Sequence, residues 1–168
     1  MRKFISSILF IFCFISVFAQ SQDLQTEILV LNQKIDSLEN KVSYLQLSLD
    51  INKLSSDIVN DKYYMDLCNT QLQLYFYAKN FDVRFVDSYK SVYNTYLDRE
   101  QTHKELYEQL KELYFTNRMF HSFAKLDIES LNIGFSTLEN EMASYSVSLK
   151  HLKDIIEIYR VSCIEYRK

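Results

Sequence analysis

From Leu24 the apolar residues of this chain advance alternately by four and by three: Leu24, Ile28, Leu31, Ile35, Leu38, Val42, Leu45 and Leu49. An α-helix turns once in about 3.6 residues, so this spacing gathers all of them into one stripe. Ile28, Ile35, Val42 and Leu49 take the a positions of a heptad, and Leu24, Leu31, Leu38 and Leu45 take d. Lys34 at g and Glu39 at the following e would attract each other across a parallel partner, an exposed pairing worth about a few tenths of a kcal/mol. After Leu49 the register slips. A new series runs Leu54, Ile58, Met65, Cys68, Leu72, Tyr75 and passes over Asp61. Nothing between Ser55 and Asp61 is a strong breaker, which predicts a helix continuing to about Lys79.

Asn80 and Asp82 mark the end of that helix and the start of the next, whose seam reads Phe85, Tyr89, Val92, Tyr96, Arg99, His103, Leu106, Leu110, Leu113. The pattern loosens through Asn117, Phe120, Ala124 and Leu131 to Gly134, read as a helix stop. Ser136-Thr137-Leu138-Glu139 fits a capping box, and the last helix follows with Leu138, Met142, Tyr145, Leu149, Leu152, Ile156, Tyr159, Cys163 and Tyr166. The expected fold is all-α: an elongated antiparallel helical bundle or coiled coil of three long helices, four if the first breaks near Asn60. Helices of about 58, 51 and 32 residues would span roughly 85, 75 and 50 Å.

Short connections make successive helices antiparallel neighbours. Residues 20–168 then form a single all-helical domain with a heptad segment at 24–49, an aromatic-rich hairpin at 57–102 and a C-terminal helix at 136–167. Residues 24–56, 103–133 and 138–167 would lie level as a three-helix section, with the hairpin projecting from it. This arrangement favours a seam at 24–49 buried within the chain over one zipped to a second copy, although both use the same residues.

Composition reinforces the helical reading. A chain of this length carries on average about 12 glycines and 8 prolines; this one has a single glycine, Gly134, and no proline. Sheets need turns, and turns draw on those residues. One glycine also cannot build a phosphate-cradling loop or a Gly-x-Ser-x-Gly nucleophile turn.

The N-terminus changes the setting in which the helices are expected to work. Met1-Arg2-Lys3, an uncharged apolar stretch from Phe4 to Phe18, and Ala19 before Gln20 read as a signal peptide over residues 1–19. The stretch is shorter than the roughly 17–25 residues of a membrane-spanning helix, so no stable span is expected in the mature protein. Cleavage after Ala19 would place the protein in the periplasm or outside the cell. Without Arg2 and Lys3 the 19 basic residues become 17 against 22 acidic, a net charge of −5. The basic residues are scattered singly, which argues against a nucleic-acid partner. Export would allow Cys68 and Cys163 to pair, but the projected spacing sets them about 18 Å apart, too far for a disulfide.

Few side chains suggest chemistry. Arg99 and His103, one turn apart, interrupt an apolar seam and are candidates for a buried polar layer that fixes register. Glu100 and His103 match the Glu-x-x-His half-motif of di-metal bundles, but Glu27, Asp36, Glu39, Glu141, Asp154 and Glu157 fall off the seams that would have to complete such a site. No metal, cofactor or catalytic residue is therefore assigned. All 13 tyrosines follow the leader. Tyr63, Tyr64, Tyr75, Tyr77, Tyr89, Tyr93 and Tyr96 crowd the hairpin as a candidate interaction surface, to be covered by the fold, by self-association or by a protein partner. The functional expectation is a non-catalytic exported helical interaction or scaffolding protein of the cell envelope. The alternatives are a periplasmic chaperone-like protein that holds clients on its aromatic face and, lesser, a metal-binding helical-bundle enzyme.

Overall fold

The computed structural model describes the backbone of residues 2–120 and 123–166, and the side chains of residues 24–119 and 123–166. The leader reading, residues 1–19, rests on side chains that all lie outside the described residues. Among the described residues all regular structure is helical: α1 (Arg2–Tyr77), α2 (Val83–Phe120) and α3 (Lys125–Glu165). The three-helix, all-α expectation holds. α1 runs unbroken through Asn60, so there is no fourth helix among the described residues. The chain divides into two compact units, Met1–Ser43 and Tyr44–Lys168. No helix among the described residues is long and apolar enough to cross a membrane.

The first connection falls where Asn80 and Asp82 predicted it. Lys79 takes a left-handed conformation at φ 53°. Its N–H donates to Phe76 O at 3.0 Å and that of Asn80 donates to Tyr75 O at 3.0 Å. This is the Schellman pairing that satisfies the last carbonyls of a helix, here without glycine. Asp82 then caps α2, its Oδ1 accepting the Arg84 N–H at 2.9 Å.

α2 ends at Phe120 and α3 begins at Lys125, so the second connection does not fall at Gly134. α3 opens after Ala124 with no side-chain cap. Ser136 to Glu139 sit inside α3 and form no capping box, and the last helix is Lys125–Glu165 where 136–167 was expected. Gly134 is a helical residue packed on α1: a Cβ placed there would lie 3.0 Å from Ile51 Cγ2. It marks a close helix approach, not a stop.

Moving the turn by about a dozen residues along α2 shifts α3 against α1 by twice that number, roughly 36 Å at 1.5 Å per residue. In the observed register, Tyr44 meets Ser130 and Ser55 meets Glu141, a constant offset of 86 along parallel α1 and α3. α3 therefore reaches the α1–α2 turn. The Tyr159 hydroxyl accepts the Asp82 N–H at 3.0 Å and donates to the Asn80 carbonyl, while Phe81 packs on Tyr166 with ring centroids 4.5 Å apart. Residues 57–102 do not project as a bare hairpin; α3 lies along them.

The core of the second unit runs through Leu47, Ile51, Leu54, Ile58, Met65 and Leu72 of α1, Val86, Tyr89, Tyr107 and Tyr114 of α2, and Leu131, Phe135, Leu138, Tyr145, Leu149, Leu152, Ile156, Tyr159 and Cys163 of α3. Burying side chains of this size contributes about 1.5–3 kcal/mol each against the entropy of ordering them. Cys68 and Cys163 lie on separate helices, α1 and α3.

Candidate functional site

Three features could carry function. The most polar is centred on Asp61 of α1, only 5% exposed. Arg99 and His103 approach it from α2, one turn apart, so both reach the same point on α1. The Arg99 guanidinium donates to Asp61 Oδ1, and His103 Nε2 lies 3.1 Å from Asp61 Oδ2. Each carboxylate oxygen thus has its own partner. His103 is buried, whereas the Arg99 side chain remains 54% exposed. It covers Tyr96 on the way out, 5.8 Å above the ring.

α3 completes the layer. Tyr145 meets His103 edge to face at 5.5 Å and donates its hydroxyl to Tyr96 O at 2.7 Å. Ser146 donates to Glu100, which also pairs with Lys104 at 3.2 Å. Burial pushes the Tyr145 hydroxyl well above the usual phenol range; that of Tyr89, bonded to Gln71 at 3.0 Å, rises to about 12 for the same leading reason. His103 Nδ1 is buried without a partner among the described residues. The space beside it, between Ile58, Met142 and Tyr145, has no room for a water-sized group. The arrangement can hold charge and register between the helices. Glu100 and His103 turn to different partners. Among the described residues no three His, Cys, Asp or Glu side chains gather where a metal could be held.

The arrangement contains one residue that the seam reading passed over. Asp61 appeared only as a gap in the α1 series, yet it anchors both Arg99 and His103. A second polar link lies further along α2, where the Tyr107 hydroxyl donates to Glu139 and Lys111 Nζ to the same carboxylate at 3.2 Å. The Tyr107 bond, followed by that of Lys111, holds the Glu139 carboxyl below its ordinary range.

The tyrosines separate into two populations. Tyr89 is buried; Tyr75, Tyr93 and Tyr96 are half-buried against the core, with Tyr75 stacked on Phe85 at 4.7 Å. Tyr63, Tyr64 and Tyr77 are exposed. The seven do not form one surface.

The third feature is the heptad seam. Leu24, Ile28, Leu31, Ile35, Leu38 and Val42 of the first unit are all between 51% and 65% exposed. In the second unit Leu45 and Leu49 are equally open, at 53% and 62%, although Leu47 between them is fully buried. At about 100° per residue, Leu45 and Leu49 each stand about 160° from Leu47. Over this stretch α1 has two apolar faces: Tyr44 and Ile51 lie against α3 and Leu47 is buried in the core, while Leu45 and Leu49 stay exposed. Within the second unit the expectation that the chain buries this seam itself fails at Leu45 and Leu49.

Comparison with protein-family models, curated proteins and solved structures yields no match.

Proposed function

We propose that this chain is a non-catalytic, exported helical interaction protein of the cell envelope, in which a three-helix bundle carries a heptad stripe as its binding face. The observation that supports the reading is the exposure of the whole stripe from Leu24 to Leu49. Isolated exposed leucines are ordinary; eight aligned apolar side chains are not, and covering each would contribute about 1.5–3 kcal/mol before ordering costs. The polar layer at Asp61 fits the same reading, since its ion pair and hydrogen bonds join α1 to α2.

A photo-crosslinking residue placed at Leu38 in the producing cells should yield a defined protein adduct, whereas the same group at the exposed f position Gln33 should not. No adduct from Leu38, or equal adducts from both, would overturn the binding-face assignment. Export is tested on the same material: the intact mass should correspond to a chain beginning at Gln20. Retention of residues 1–19 would replace a secreted protein with an anchored one.

A further inference from the structure

We infer that the partner of the stripe is a second copy of this chain, joined in parallel and in register as a two-stranded coiled coil over residues 24–49. The inference rests on the stripe being the interaction face and adds the identity, number and direction of the strands.

Four observations carry it. The a positions are β-branched at Ile28, Ile35 and Val42, and every d position from Leu24 to Leu45 is leucine. That division fits the packing geometry of parallel dimers, where trimers and tetramers prefer other pairings of branched residues. The flanking charges discriminate direction. In a parallel pair Lys34 at g lies beside Glu39 at the partner's e, twice by symmetry. A fully overlapped antiparallel pair would set Lys34 beside the partner's Lys41, also twice, and leave Glu39 beside Asn32.

The stripe also has a defined end. Continuing the heptad past Leu49 places Asn52 at d and Ser56 at a, so the apolar contact stops there. Finally, a partner can cover Leu45 and Leu49 without disturbing the bundle, because Tyr44 and Ile51 meet α3 and Leu47 is buried on another side of the helix.

Sedimentation equilibrium of the protein purified from cells producing the full chain should return twice the monomer mass at micromolar concentration. Lys34→Glu is the deciding variant, since Lys34 is exposed and its replacement leaves the bundle core untouched. In the parallel pair it sets a second carboxylate against Glu39 and should weaken dimerisation about 3- to 10-fold at low salt, with Lys34→Glu/Glu39→Lys restoring the original affinity. In the antiparallel pair the single variant would bring opposite charges together and tighten association, and the double variant would stay tight. Tightening by K34E, or a trimer mass, overturns this inference and leaves the stripe an interaction face. A monomeric chain that still gives a crosslink from position 38 to a different protein also overturns the self-pairing alone. A monomer with no crosslink overturns both readings.

Discussion

At the scale of single residues, the decisive position is Asp61. A buried carboxylate is tolerated only when its charge is met, and here Arg99 and His103 each take one oxygen. The partners are unequal because Arg99 reaches water and can be solvated without Asp61, while His103 cannot. Asp61→Asn should lower the unfolding free energy by about 1–3 kcal/mol, since both charge-assisted contacts weaken at once. Arg99→Met should cost under about 1 kcal/mol, as expected of a largely exposed ion pair. Urea denaturation of the three proteins gives the order directly, and a greater loss from the Arg99 change would show that the outer contact dominates. The sequence contained the means to find this site. Folding back at Asn80 and Asp82 mirrors residue 61 onto roughly residue 100, so the one acidic gap in the α1 seam faces the basic interruptions of the α2 seam. Reading each seam separately hid the pairing. Tyr107 and Glu139 were harder to pair, because their contact depends on where α3 begins.

At the scale of elements, helix content was legible from period and composition, whereas one of the two connections was not. The first turn advertises itself through Asn80 and the capping Asp82. The second has neither glycine nor proline, and α3 starts without a side-chain cap; its position follows from how the seams fit together. Gly134 misled because a helix stop and a close helix crossing ask for the same missing side chain. The two roles predict different responses to substitution. In a helix interior Gly→Ala gains about 1 kcal/mol from propensity. Here the added methyl meets Ile51 at 3.0 Å, and overpacking typically costs about 1–3 kcal/mol. Gly134→Ala should therefore destabilise the protein by up to about 2 kcal/mol. In an Ile51→Ala background, where the obstructing branch is gone, the same change should become stabilising by up to about 1 kcal/mol. Thermal unfolding of the four proteins in this cycle tests the sign reversal; a stabilising Gly134→Ala in the parent would mean that α1 and α3 yield without cost.

At the scale of the whole molecule, the shifted register of α3 separates two tasks that the seam pattern alone had merged. The bundle draws on the series from Leu47 through Ile51, Leu54 and Ile58, while the heptad stripe ends at Leu49 on the other side of the same helix. The change of register after Leu49 records this handover from one face to the other. Truncation should expose it sharply. A chain beginning at Tyr44 retains every described core side chain and should remain helical, with a thermal midpoint independent of concentration. A chain beginning at Lys53 loses Leu47 and Ile51 as well, and removing large aliphatic side chains from a packed core costs about 2–5 kcal/mol each. Against a typical total of roughly 5–15 kcal/mol, that loss should leave the remaining helices partly unfolded or aggregated. Circular dichroism with sedimentation of the two truncated proteins distinguishes the outcomes. If the chain from Tyr44 melts like the chain from Lys53, the stripe supports the bundle directly and the division of faces at Leu47 is wrong. If both remain fully helical, Leu47 and Ile51 contribute less than their burial implies, and the core must be centred nearer to the layer that Asp61 anchors.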